Sequence, residues 1–189
     1  IYTGQKVGAI CSSRTGDLIA ALQNGFARIN RLNNEVELIV DPEAHLPGNR
    51  FNDGKCDPAG RFWAGTMSYS ESEMRGCLYA LEKDLSVTIK IKGVGCSNGL
   101  AWDEKRSIFY FIDTATGQVA AYDYEPSDGS IKKKRIVIGF ENEQVLPDGM
   151  TIDSEGMLWI ALWGGGRVER WDPHTRRLLD QIYLPVSQV

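Results

Sequence analysis

Three polar residues recur at one position of a repeated pattern, and two of them have the chemistry of cation ligands. Asn52, Asn98 and Asp148 each stand five residues before an aspartate: Asp57, Asp103 and Asp153. The amide oxygen of Asn98 and the carboxylate of Asp148 are hard donors that suit Ca²⁺, Mg²⁺ or Mn²⁺, and Zn²⁺ less selectively. An Asn-Gly or Asp-Gly pair also caps a turn ahead of a strand, so a local reading stands beside the functional one. Two ligands are too few for a site, and a third must come from elsewhere. Arg50 and Asn52 add a guanidinium fork and an amide, which suit a hydroxyl-rich or carboxylate ligand. Taken alone, they read equally as a surface arginine and a turn asparagine. Glu71 and Glu73 lie in the loop 68–76, where a rigid scaffold can present a binding group and where a solvated carboxylate is the default.

Other chemistries find little in the chain. There is no Gly-x-Ser-x-Gly nucleophile turn and no HExxH zinc helix. The two histidines, His45 and His174, fall in loops and read as solvated. Gly164-Gly165-Gly166-Arg167 joins two strands with no helix behind it, so it reads as a tight connection and not as a phosphate cradle.

The elements that carry these residues are strands. Alternating, β-branched and aromatic runs are punctuated by Gly, Asp, Asn and Pro, with no helix longer than a turn. They fall into four groups of four. The first strand of the later groups is read at 55–57, 100–102 and 150–153, just after Asn52, Asn98 and Asp148. Four short antiparallel strands repeating every 40–50 residues or so predict an all-β β-propeller. In that geometry the three repeated positions face one end of a central channel. Arg50, Asn52, Asn98, Asp148 and the loop 68–76 are then expected to line one cavity. Asp57, Asp103 and Asp153 fall at the opposite end, where turn chemistry suffices to explain them.

Bulk properties narrow the partners. The chain has 189 residues, 42% of them hydrophobic and 24% charged, with a net charge of −4. That balance argues against nucleic acid, which wants a basic face. The basic run Lys132–Arg135 reads as a solvated strand edge. No apolar run is long enough to span a membrane, and no signal peptide is evident. Cys11, Cys56, Cys77 and Cys96 form no CxxC pair and no zinc spacing, so they read as reduced thiols in a cytoplasmic protein.

Three stretches resemble the gluconolactonase family that includes regucalcin, also called senescence marker protein. They are Arg50–Met67, Ser97–Asp113 and Pro147–Pro173, the last running from Pro-Asp-Gly-Met-Thr-Ile-Asp to Trp-Gly-Gly-Gly-Arg-Val-Glu-Arg-Trp-Asp-Pro. The resemblance implies a six-bladed propeller with one divalent cation in its channel that hydrolyses sugar lactones. It implies that Asn98 and Asp148 are metal ligands, that Asp148 is also the general base, and that Arg50 and Asn52 contact the substrate. Two departures stand out. The family's remaining ligand is a Glu in a Gly-Glu-Gly-Pro stretch, which this chain does not contain; Gly8 holds the register in its first group. The family's acidic substrate contact falls by count on Ser70, and a shift of one residue makes Glu71 its counterpart.

The chain opens on Ile-Tyr-Thr with no initiator methionine. It is therefore expected to be one propeller domain of four blades, an open arc of a six-bladed ring with blades missing at both ends. The 189-residue piece is expected to be inactive alone. The leading expectation is a metal-dependent lactonase acting on a small sugar lactone. The alternatives are a non-catalytic Ca²⁺-binding regulatory propeller and a propeller used only for protein interaction.

Overall fold

Sixteen strands build four separate antiparallel sheets in a computed structural model, which describes residues 1–70, 73–141 and 144–189. The first sheet is β1 (Val7–Ser12), β2 (Leu18–Leu22), β3 (Gly25–Ile29) and β4 (Val36–Val40). The second is β5 (Asn49–Cys56), β6 (Phe62–Ser68), β7 (Gly76–Leu81) and β8 (Val87–Val94). The third is β9 (Ser97–Asp103), β10 (Ile108–Asp113), β11 (Gln118–Glu125) and β12 (Ser130–Gly139). The fourth is β13 (Leu146–Ile152), β14 (Leu158–Trp163), β15 (Arg167–Asp172) and β16 (Arg177–Tyr183). Strands follow chain order within every sheet, the up-and-down meander expected of a propeller blade. Apart from one 3₁₀ turn, Thr114–Thr116, no helix occurs among the described residues, and none could cross a membrane.

The chain divides into two compact units, Ile1–Ser97 and Asn98–Val189. In the first, the faces of two sheets interlock: Ala21 and Phe26 pack with Phe51, Phe62, Tyr79 and Leu81. The Phe26 and Phe51 rings lie 4.7 Å apart. In the second unit, Tyr110, Ile112, Val119 and Ala121 pack with Met150, Leu158, Ile160 and Leu162. β6 and β9 are buried along their whole length. Burying each large apolar side chain of these clusters, such as Phe62 or Leu158, stabilises by about 1.5–3 kcal/mol.

The inner strands start earlier than the sequence suggests. Asn52, Asn98 and Asp148 lie within β5, β9 and β13, not ahead of them. The ladder of β5 shifts register between Phe51 and Gly54, and that of β13 between Pro147 and Met150. These bulges absorb the Asn-Asp-Gly and Asp-Gly steps that otherwise read as turns. The turn-cap reading of these residues is therefore set aside.

At the other end of the inner strands the turns repeat. Asp57 N donates to Arg61 O and Gly60 N to Asp57 O; Asp153 N donates to Met157 O and Gly156 N to Asp153 O. Ser13, Asp17 and Gly16 repeat this pattern in the first sheet, as the Gly8 register requires.

Gly65 tests the packing between β6 and the start of β9. A methyl there would sit 1.9 Å from Ser97 Oγ and 2.4 Å from Ser97 Cβ. Ser97 is fully buried and cannot swing away. Gly65→Ala is expected to lower stability by about 2–3 kcal/mol in urea unfolding. Ser97→Gly should restore part of the loss, whereas Ser97→Ala should not, because its Cβ remains in place.

Candidate functional site

In the second unit, the heads of β9 and β13 are joined through one hydroxyl. Asn98 Nδ2 donates to Thr114 Oγ1 at 2.8 Å, and Thr114 Oγ1 donates to Pro147 O at 2.6 Å. A hydroxyl has one proton, and Pro147 O takes it, so Thr114 can only accept from Asn98. This fixes which end of the Asn98 amide is nitrogen, and it turns Oδ1 away from Thr114. The neighbouring backbones also touch: a methyl on Gly99 would lie 2.9 Å from Asp148 O and 2.6 Å from Met150 Cβ. Asn98 is buried and Asp148 half-buried. The structure thus brings the Asn98 and Asp148 positions side by side, with the Asn98 amide turned by its Thr114 bond.

In the first unit, Arg50 and Asn52 form a pair at the head of β5. Arg50 Nη1 donates to Asn52 Oδ1 at 2.8 Å and to Phe51 O at 3.1 Å. Asn52 Nδ2 donates to Ser97 O at 2.8 Å, which fixes its amide as well. The Arg50 guanidinium also lies 5.8 Å from the Tyr69 ring centroid, with Lys6 Nζ at 4.6 Å and Tyr69 OH donating to Gln23 Oε1. Next to Asn52, the buried surroundings of Asp53 push its carboxyl above the ordinary range, although the Gly54 amide and Lys55 pull the other way.

Glu43 positions this head, and sequence reasoning did not find it. It is 7% exposed. Its Oε2 accepts from Asn49 Nδ2, one residue before Arg50, while Oε1 accepts from the Thr66 and Tyr79 hydroxyls at 2.9 Å each. Burial, together with the Glu43 charge, raises the Tyr79 phenol well above its usual value, so it stays a donor. Thr114 was missed likewise. Glu71 lies outside the described residues. His45 and His174 are exposed.

By chemistry the donors at Asn98 and Asp148 fit part of a hard-cation site: an amide oxygen and a carboxylate on neighbouring strands. Among the described residues no group of three or more His, Cys, Asp or Glu could hold a metal. A cation here would need further oxygen donors besides these two.

Comparison with known proteins fits this geometry. The model of the SMP-30/gluconolactonase/LRE-like region matches residues 1–189. YvrE of Bacillus subtilis (strain 168), named as a candidate sugar lactone lactonase, is 40% identical over 184 residues, covering 97% of this chain and 63% of its own. Human regucalcin is 38% identical over 187 residues, covering 96% of this chain and 62% of its own. The chain thus spans less than two thirds of the length of these relatives. Among solved structures, a regucalcin of Agrobacterium tumefaciens str. C58, described as a calcium-binding protein, superposes with a TM-score of 0.90 at 26% identity over 96% of this chain and 61% of that one. A luciferin-regenerating enzyme superposes with a TM-score of 0.87 at 33% identity over 96% of this chain and 63% of that one. The four sheets are β-propeller blades, and the chain belongs to the SMP-30/gluconolactonase/LRE-like family.

Proposed function

We propose that the protein hydrolyses a sugar lactone with a divalent cation, Ca²⁺, Zn²⁺, Mg²⁺ or Mn²⁺, held in part by Asn98 and Asp148. The observation that carries this reading is the Thr114 bridge, which orients the Asn98 amide and ties its strand to that of Asp148. When bound, the cation supplies Lewis acidity toward the lactone carbonyl and an acidified water. Asp148 accepts the proton of the attacking water. The ring C–O bond breaks, and the departing alkoxide takes up a proton to give the open hydroxy acid. Arg50 and Asn52, locked to each other by their 2.8 Å bond, hold the sugar hydroxyls. Glu71 is the proposed acidic contact. A further cation ligand comes from another blade of a larger, six-bladed ring.

The test is turnover of aldonolactones by the full-length protein. Activity should fall by at least about a hundredfold after chelation and return with added divalent metal. Cation binding without turnover of any lactone would favour the non-catalytic, calcium-binding reading instead. Absence of both would leave a propeller used only for protein interaction.

A further inference from the structure

Cys11 and Cys56 sit on β1 and β5, inner strands that run side by side in the first unit. A methyl on Gly8 would lie 2.6 Å from Asn52 O, and one on Gly54 would lie 3.1 Å from Ala9 Cβ. Both contacts advance in the same direction, so the strands run parallel. Two residues beyond Ala9 and Gly54, that register places Cys11 opposite Cys56. Cys11 packs half-buried against the cluster of Phe51, Phe62 and Tyr79, while Cys56, paired with Phe62 across the ladder, is exposed. One thiol is thus shielded and the other open to solvent. The remaining cysteines are placed differently: Cys77 lies on β7, and Cys96 Sγ lies 3.6 Å from Met67 Sδ.

We propose that Cys11 and Cys56 are a redox site, closing to a reversible disulfide when the protein meets a hydroperoxide.

Facing each other, the two thiols shift each other's ionisation, and their pairing acts in opposite directions on the two. It lowers the Cys56 thiol from its ordinary value, against burial and the nearby Asp57 charge, and it raises the Cys11 thiol. Cys56 is therefore the attacking thiolate and Cys11 the resolving thiol. The Cys56 thiolate attacks one oxygen of hydrogen peroxide. The O–O bond breaks, and the released hydroxide takes a proton to become water, leaving a sulfenic acid on Cys56. The Cys11 sulfur then attacks the Cys56 sulfur. The S–O bond breaks, and the hydroxyl leaves as water with the Cys11 proton. Two thiols and one peroxide give one disulfide and two waters, and a dithiol reverses the change. The bond would tie β1 to β5, the strand that begins beside Arg50 and Asn52.

The full chain should be treated with one equivalent of hydrogen peroxide, alkylated and digested for mass spectrometry. The expected product is a Cys11–Cys56 linked peptide, with Cys77 and Cys96 still alkylatable and dithiothreitol restoring all thiols. Cys56 should react at least about tenfold faster than Cys77. The oxidised form should unfold at a temperature higher by about 4 °C or more. In Cys11→Ser the reaction should stop at a Cys56 sulfenic acid that dimedone traps, and in Cys56→Ser no linked peptide should form. Oxidation spread evenly over the cysteines, over-oxidation of Cys56 with Cys11 still free, or no reaction at all would each overturn the proposal.

Discussion

Alanine at position 148 of the full-length protein should cut lactone turnover by at least about a thousandfold and weaken divalent-cation binding with it. Asp148 is the carboxylate of the proposed ligand pair, so its loss leaves Asn98 as a neutral donor. The same change removes the proton acceptor for water. Asp148→Asn separates the two roles. It keeps an oxygen donor but not the charge, so cation binding should fall less than in the alanine variant, while turnover stays lost at saturating metal. The measurements are kcat at saturating metal and a calorimetric titration of the cation. Full turnover in Asp148→Ala would remove this residue from the reaction. Because the Thr114 bridge reaches Pro147 and not the Asp148 side chain, the fold should survive either change.

The largest loss of stability is expected at the opposite end of an inner strand. Asp57 is 4% exposed. Its Oδ1 accepts from Arg61 N at 2.8 Å, and its Oδ2 accepts from Arg61 Nη1 at 3.1 Å and from Trp63 Nε1 at 3.0 Å. Arg61 is also buried, with Glu82 on its other side. Asp57→Ala would take a charged acceptor from the buried Arg61 guanidinium and an acceptor from the buried Trp63 indole N–H. The expected loss is about 3–5 kcal/mol in denaturant unfolding. Asp57→Asn keeps one acceptor oxygen but turns a donor NH2 toward the other N–H groups, so it should still destabilise, though less than alanine. Asp153 repeats the arrangement with Met157 N, Trp159 Nε1 and Arg170. Burial pushes the Asp153 carboxyl up, but its hydrogen bonds outweigh that and hold it below the ordinary range. Its contribution is therefore present above the unfolded aspartate value of about 3.9 and is lost as the pH falls through the lower, folded one.

These two sites differ in how far they could be read beforehand. The four strand groups follow from alternation and turn residues, which are local signals, and all four sheets appear as expected. The heads of β5 and β13 were misplaced because Asn-Asp-Gly and Asp-Gly favour turns in isolation, whereas the sheet absorbs them as bulges. Asp57 and Asp153 were read as turn formers. The tryptophan six residues beyond each, Trp63 and Trp159, was the available sign that they also anchor an indole. Glu43 offered no such sign. Its partners Asn49, Thr66 and Tyr79 come from three different strands, so only the folded chain assembles the network. Thr114 is similar, since its value lies in reaching both Asn98 and Pro147. The residue types at 50, 52, 98 and 148 were legible. The bonds that orient the Asn52 and Asn98 amides were not.

The bulged head and the aspartate anchor occupy opposite ends of the same strand, and this has a consequence for how such a chain can change over time. The bonds described for Asp57 and Asp153 run to Arg61, Trp63, Met157, Trp159 and Arg170, not to positions 52 and 148. A substitution at a head position leaves those bonds intact, so, if the heads bind ligand as proposed, selection can vary ligand preference while the framework persists. Heads act as sockets and anchors as the chassis. Lineages built on this backbone are free to trade one cargo for another through a few side chains, without first having to find a new way to fold.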